Sequence, residues 1–123
     1  MQCEKDDAAA VFDLEGFLER IGDKTPFLVK LLLSFLRSAT EQLASLGDAV
    51  ERADAAEIRT QAHAVKGSAA NIGAGRIRAL AESMETAAQL GDLTHMAEWY
   101  AALTGEFEAF KRVTSGIVTG QEP

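Results

Sequence analysis

The residues whose types and spacing could support chemistry lie in "RTQAHAVKGSAANIGAGR", from Arg59 to Arg76. His63 is followed by Lys66 three residues later and by Gly67 four residues later. An imidazole has a reference pKa of about 6.5, so at neutral pH one ring nitrogen is an available nucleophile. Residues three and four apart on a helix are neighbours, so Lys66 would place a positive charge beside the ring. A glycine inside a helix costs about 1 kcal/mol relative to alanine, and its position beside the histidine therefore requires a reason.

The periodicity of this segment predicts which side of its helix faces the protein core. At about 100° per residue, one side carries only apolar residues: Ile58, Ala62, Val65, Ala69 and Ile72. The opposite side carries the candidate site: Arg59, His63, Lys66, Gly67 and Ala70. No Asp or Glu occurs between Ile58 and Ile72, so this outer face is locally basic. We therefore expect a solvent-facing histidine rather than a buried structural one.

Helix signals begin near the N-terminus, and no stretch has the alternating pattern of a strand. Asp13 is expected to cap a short helix that runs to about Ile21. Thr25 and Pro26 then provide a cap and a first-turn proline for a long second helix, which Gly47 would bend or end. Its apolar residues recur at three- and four-residue steps: Phe27, Leu28, Leu31, Leu32, Phe35, Leu43, Leu46 and Val50.

Three further helices are predicted after the second. Asp54, with Glu57 three residues later, would start the third helix, and Gly73 would end it. A fourth helix is expected to stop at Gly91, and Asp92 is expected to cap the fifth. The apolar positions of these two helices are Ile77, Leu80, Ala81, Met84 and Ala88, followed by Leu93, Met96, Tyr100, Leu103, Phe107, Phe110 and Ile117.

Short loops force neighbouring helices to run antiparallel. The sequence therefore predicts an all-α fold, an up-down antiparallel four-helix bundle with an additional short N-terminal helix. We expect the bundle to occupy residues 12–117, after a flexible segment at residues 1–11 and before a disordered tail at residues 118–123.

The charge and composition of the chain exclude several classes of function. A net charge of -7 argues against binding to nucleic acid or to an anionic membrane surface. The longest apolar stretch is interrupted by Lys30 and is shorter than the roughly 20 residues that a membrane-spanning helix needs. The single Cys3 has no partner for an intrachain disulfide, which fits a reducing compartment. The acidic N-terminus is not typical of a signal peptide, so we expect a cytoplasmic protein.

The run "HAVKGSAANIG" resembles the motif of histidine-containing phosphotransfer (HPt) domains, His-x-x-Lys-Gly followed by small residues and a later glycine. The resemblance continues through "FDLEGFLERIGDKTPFLVKLLLSFL" and "RIRALAESMETAAQLGDL", and covers the chain from about Phe12 to Phe110. It implies a phosphocarrier without kinase activity of its own, which takes a phosphoryl group from the aspartate of one receiver domain and passes it to another. By matching position, His63 would carry the phosphoryl group, Lys66 would help to neutralise its charge, and Gly67 would keep the approach clear.

The resemblance also implies the partners: response-regulator receiver domains, including those of a hybrid histidine kinase, and a monomeric carrier. It implies no cofactor on this chain, because the Mg²⁺ ion belongs to the receiver. Arg59, Ala70, Arg76 and Glu85 are expected to face the phosphoryl group or the partner, although ordinary surface charge explains the arginines as well. Glu85 would accept the second ring N–H and fix the tautomer, and a plain surface carboxylate fits the sequence equally well.

No metal site is expected on this chain. Asp92 and His95 have one half of a di-iron spacing, but that chemistry needs two Glu-x-x-His motifs and further glutamates. His95 has no Lys-Gly pair beside it, so it is expected to be an ordinary surface histidine.

Two other functions are compatible with a helical bundle. One is an interaction module that binds receiver domains without phosphotransfer. The other is the dimerisation and phosphoacceptor domain of a histidine kinase. Such domains resemble two-helix hairpins with an acidic residue after the histidine, whereas Ala64 follows His63 here and the chain supplies four long helices itself.

Overall fold

Four α-helices make up the part of the chain that the structure describes. The computed structural model describes the backbone of residues 25–121 and the side chains of residues 26–115. The helices are α1 (Thr25–Glu51), α2 (Ala55–Ile72), α3 (Gly75–Gln89) and α4 (Met96–Gln121), and no strand occurs within this range. The predicted short helix from Asp13 to Ile21 and the segment at residues 1–11 lie outside the described residues.

The helices pack in chain order around one core, and α4 returns to close the bundle against α1. Residues of α1 contact residues of α4 in the reverse order along the chain. Phe35 meets Phe107 and Phe110, whereas Leu43, further along α1, accepts a hydrogen bond from Tyr100, which comes earlier in α4. The two helices are therefore antiparallel, and the predicted all-α four-helix architecture is confirmed.

The junctions around α2 follow the predicted capping signals. The Asp54 carboxylate accepts a hydrogen bond from the Glu57 backbone N–H at 3.1 Å and caps the first turn of α2. At the other end Gly73 adopts φ 78°, a left-handed conformation that glycine reaches without steric cost. The Ala74 N–H then bonds the Ala69 carbonyl at 2.9 Å, so the chain turns at once into α3. The caps predicted at Asp54 and Gly73 are confirmed.

The junction between α3 and α4 differs from the prediction. Gly91 adopts φ 75° after the end of α3, but Asp92 does not cap α4, which begins at Met96. The Asp92 carboxylate instead accepts hydrogen bonds from the Thr94 N–H at 3.1 Å and the Thr94 hydroxyl at 2.6 Å. Its side chain therefore closes a local turn two residues ahead, a frequent alternative to helix capping for Asp. The prediction that Asp92 caps the last helix was therefore wrong. His95 lies immediately before the first residue of α4.

The other end of α4 lies beyond residue 117, where the bundle was expected to end. The backbone is helical through Gln121. The last two residues lie outside the described range.

The core lies between the four helices and is almost entirely apolar. Its largest fully buried side chains are Phe110, Leu32, Leu46, Ile58, Met84, Leu103, Val65 and Thr114. The Thr114 hydroxyl donates to the Phe110 carbonyl at 2.8 Å, which satisfies the buried polar group. Phe27, the first of the recurring apolar residues of α1, is 47% exposed, because it lies on the outer side of the first turns of α1. None of the helices between residues 25 and 121 combines the length and apolar character needed to cross a membrane.

Gly47 allows the Tyr100 ring of α4 to lie directly against α1. The helix continues through this glycine to Glu51, so Gly47 does not end it as the sequence suggested. A Cβ at this position would lie 2.5 Å from Tyr100 Oη and 2.7 Å from Tyr100 Cζ. The Tyr100 hydroxyl donates to the Leu43 carbonyl at 2.8 Å, which holds the ring against the glycine. The glycine therefore makes room for this packing contact.

We predict that the effect of Gly47→Ala on stability reverses with the residue at position 100. In a Tyr100→Ala background the substitution should stabilise the protein by about 1 kcal/mol, the helix-propensity difference. In the wild type this gain should be cancelled or reversed, because overpacking costs about 1–3 kcal/mol. Urea unfolding of the four proteins of this cycle gives the coupling directly. Equal effects in both backgrounds would contradict the contact.

Candidate functional site

His63 lies in the middle of α2 with its side chain directed away from the core. The buried positions of this helix are Ile58, Ala62, Val65, Ala69 and Ile72, the same five residues that the periodicity assigned to the core. They fix the rotation of α2, so that the opposite face is turned to solvent. The His63 side chain is 69% exposed as a result. A buried structural histidine is excluded.

Glu85, from the neighbouring helix α3, joins the two candidate residues of α2. One of its carboxylate oxygens lies 2.7 Å from His63 Nδ1, and the other lies 2.5 Å from Lys66 Nζ. The hydrogen bond from Lys66 is the main reason why the pKa of Glu85 lies below its ordinary value. The bond from His63 acts in the same direction, and partial burial opposes both. The carboxylate is therefore ionised at neutral pH.

The ionised carboxylate determines which tautomer His63 adopts. A carboxylate without a proton can only accept hydrogen bonds, so His63 Nδ1 must carry a hydrogen and donate it to Glu85. In a neutral imidazole the other nitrogen, Nε2, then has the lone pair. Because Nδ1 is directed towards α3, Nε2 is the nitrogen left for a reaction partner. Glu85 thus lies beside the ring, on its Nδ1 side.

Gly67 leaves open space on the next turn of the helix. A Cβ built at this position would have no heavy-atom neighbour within 4 Å. One turn further along the same face, Ala70 is exposed and contributes only a methyl group. No large side chain from these positions covers the approach to His63 from the C-terminal side of α2.

A groove of about 410 Å³ lies on the N-terminal side of His63, lined by Ala56, Arg59, Thr60, His63 and Glu85. Side chains on a helix lean towards its N-terminus, so the imidazole extends over the preceding turn. Arg59, predicted to face the phosphoryl group or the partner, is thus brought into the same groove as His63 and Glu85. Ala56 and Thr60 were not singled out from the sequence, although their spacing of seven and three residues from His63 would have placed them there.

Arg76 is not brought into this group. It is the second residue of α3, nine residues before Glu85, which corresponds to about 14 Å along the helix axis. Its Nη1 lies 3.5 Å from Glu106 Oε1 on α4. This arginine therefore links α3 to α4 near the α2–α3 turn, and the charge lies too far along α3 to act at His63.

We predict that Glu85 makes stability depend on pH in the acidic range. Its pKa in the folded protein lies below the ordinary value of 4.5, so the unfolded chain binds the proton more readily. The stabilisation should be fully present above about pH 4.5 and be lost as the pH falls through the lower, folded pKa. Urea unfolding at a series of pH values should show a weaker acid dependence in Glu85→Gln than in wild type.

The matched control for that measurement is Glu82→Gln, which removes a carboxylate from an exposed position of the same helix. If Glu82→Gln reduces the acid dependence as much as Glu85→Gln does, the Lys66–Glu85 pair is not its source.

Comparisons with known proteins agree with this geometry. The family profile of the Hpt domain matches residues 30–113, which include His63, Lys66, Gly67 and Glu85. The crystal structure of histidine-containing phosphotransfer protein B (HptB) from Pseudomonas aeruginosa PAO1 is similar in fold, with a TM-score of 0.85 and 22% sequence identity. The similarity covers 91% of this chain and 97% of that one. Among curated protein sequences no significant match was found. Because the family profile spans well over half of the chain and contains the whole His63 cluster, this protein belongs to the Hpt domain family.

Proposed function

We propose that this protein relays a phosphoryl group between the aspartates of two receiver domains through a phosphohistidine at His63. The family supports a histidine phosphotransfer role in phosphorelays, in which Hpt domains work with receiver domains. The observation that carries the assignment to His63 is the exposed imidazole whose Nδ1–H donates to an ionised carboxylate, which leaves the Nε2 lone pair towards solvent. No other histidine of the chain has such a setting, since His95 is its only other one and lies 3.5 Å from exposed Glu98.

The proposed reaction requires no proton transfer at the attacking nitrogen. The Nε2 lone pair of His63 attacks the phosphorus of the aspartyl phosphate and forms an N–P bond. The bond between phosphorus and the aspartate oxygen breaks, and its electron pair leaves with the carboxylate. The ring keeps its Nδ1 hydrogen and becomes a cation, which the Glu85 carboxylate stabilises at 2.7 Å. Transfer to the second receiver reverses these steps with another aspartate.

The carrier contributes little apparatus beyond the nucleophile and its surroundings. Phosphoryl transfer depends chiefly on positioning and on stabilisation of negative charge. The Mg²⁺ ion of the receiver would neutralise charge from the side of the aspartate. The part contributed by this chain is then an oriented imidazole, nearby cations and a surface that a second protein can reach. In this proposal the protein is a phosphocarrier without autonomous kinase activity, and a monomer.

The shape of the α2 face is suited to a docking partner. The aspartate of a receiver lies in a recess, so the attacking nitrogen must project from a surface without tall neighbours. Gly67 and Ala70 keep that surface low on the C-terminal side of His63. The proposal therefore assigns the glycine to the encounter with the receiver rather than to the fold.

We predict that His63→Gln abolishes labelling by a phosphorylated receiver domain. Wild-type protein should acquire a phosphoryl group that is labile in acid and stable in base, as expected of an N–P bond. Transfer of radiolabelled phosphate, followed by gel separation, measures it. His95→Gln is the matched control, because it removes the other histidine, which is also exposed, and it should be labelled like wild type.

Two outcomes would contradict this assignment. Labelling that persists in His63→Gln would move the site elsewhere. Tight receiver binding without any phosphohistidine in the wild type would favour an interaction module that does not transfer phosphate.

We predict that alanine at Gly67 raises stability, and that a large side chain there slows transfer from a receiver. Gly67→Ala should raise the free energy of unfolding by about 1 kcal/mol, because the site lies inside a helix and has open space around it. Gly67→Met should slow transfer from a receiver by about tenfold or more, because a misplaced docking geometry costs that much in rate. Labelling of His63 by the small donor phosphoramidate should be unchanged, because this donor does not need the cleared surface.

The control for the added bulk is Ala101→Met, at an exposed position of α4. If Gly67→Met slows the receiver and phosphoramidate equally, the glycine acts on the histidine itself rather than on docking.

A further inference from the structure

The two cations beside His63 differ in whether their charge is already neutralised. Lys66 Nζ lies 2.5 Å from Glu85 Oε1, and its side chain is 28% exposed. Arg59 is exposed, and its side chain forms no ion pair or hydrogen bond with any of residues 26–115, whose side chains the structure describes. Since Lys66 and Glu85 neutralise each other, the unpaired positive side chain beside His63 is that of Arg59.

The direction of the histidine ring points to the same residue. Glu85 holds the Nδ1 edge of the ring, so a group bonded to Nε2 extends away from the Lys66–Glu85 pair. The groove next to the ring is lined by Ala56, Arg59, Thr60, His63 and Glu85, and neither Lys66 nor Gly67 lines it. A phosphoryl group on Nε2 would lie beside this groove, in which Arg59 is the positively charged residue.

Arg59 has the reach and the chemistry for such a contact. It precedes His63 by four residues, so the two side chains are neighbours on the same helix face. A guanidinium group presents a planar pair of N–H donors that matches two phosphoryl oxygens, whereas an ammonium group acts as a point charge. An arginine without a competing partner can turn to a phosphoryl group without breaking an existing ion pair.

We propose that Arg59 binds the phosphoryl group of phosphorylated His63, and that Lys66 serves mainly to hold Glu85. The inference rests on the proposed function, because it concerns the phosphorylated form of His63. Arg59 would stabilise phosphohistidine relative to free histidine, which shifts the transfer equilibrium with a receiver towards this protein. For a solvent-exposed pair at contact distance the shift should be about three- to fivefold.

The experiment is a ³¹P NMR titration of the phosphorylated protein. Phosphoramidate is the donor: the Nε2 lone pair attacks its phosphorus, an N–P bond forms, and the former P–N bond breaks with release of ammonia. The second ionisation of the phosphoryl group, followed by its chemical shift against pH, should occur about half a pH unit higher in Arg59→Ala than in wild type. Arg59→Lys keeps the positive charge, so its phosphoryl group should titrate at a pH close to that of wild type. In 1 M NaCl the difference should shrink, because the Debye length falls to about 3 Å.

Arg37→Ala is the matched control, since it removes an exposed arginine from α1 and should titrate like wild type. Alanine is the best helix former, so Arg59→Ala should fold, which circular dichroism checks. A normal phosphohistidine signal that titrates identically in wild type and Arg59→Ala would overturn this inference and leave the proposed function intact. Absence of a phosphohistidine signal at His63 in the wild type would overturn both.

Discussion

The Glu85 carboxylate is the group on which the arrangement of the site depends. It is the acceptor for both His63 Nδ1 at 2.7 Å and Lys66 Nζ at 2.5 Å, so a single side chain of α3 fixes two side chains of α2. Its own side chain is only 15% exposed, which limits the competition from water for these bonds. Besides its contribution to stability, the carboxylate sets the tautomer of the histidine.

Two glycines in helix interiors show how the same residue can serve opposite purposes. At Gly47 an added Cβ would collide with Tyr100, so the missing side chain lets α1 and α4 approach each other. At Gly67 an added Cβ would meet nothing, so no contact within the described chain explains the residue. The cost of a helical glycine is offset by packing in the first case. In the second case it leaves an open surface, which is what a docking partner requires.

The sequence predicted the features that depend on one helix at a time. The apolar stripe from Ile58 to Ile72 determined that His63 faces solvent, and the caps at Asp54 and Gly73 follow from local chemistry. Contacts between helices were not predictable in the same way, because the register of one helix against another is set by packing. Glu85 is 22 residues from His63 in sequence, so the sequence could not distinguish it from a surface carboxylate. In the structure it is hydrogen-bonded to His63.

The same limit applies to the partners of Arg76 and Asp92. Arg76 is close to the motif in sequence, but the turn at Gly73 places it at the end of α3, where Glu106 of α4 is its partner. Asp92 has a suitable residue type for a helix cap, but its carboxylate accepts hydrogen bonds from Thr94 instead. In both cases the partner depends on how the chain turns between two helices, which the residue type alone does not reveal.

The lowered pKa of Glu85 has a consequence for both directions of the proposed transfer. A phosphorylated imidazole that keeps its Nδ1 hydrogen leaves as a neutral ring when the phosphoryl group moves on. A ring that had lost this hydrogen would have to leave as an anion, which is far less favourable. A strongly basic carboxylate beside the phosphorylated ring would tend to remove the hydrogen. Lys66 lowers the pKa of Glu85, which weakens the carboxylate as a base and so favours a ring that keeps its proton. The lysine of the motif can thus assist transfer without touching the phosphoryl group.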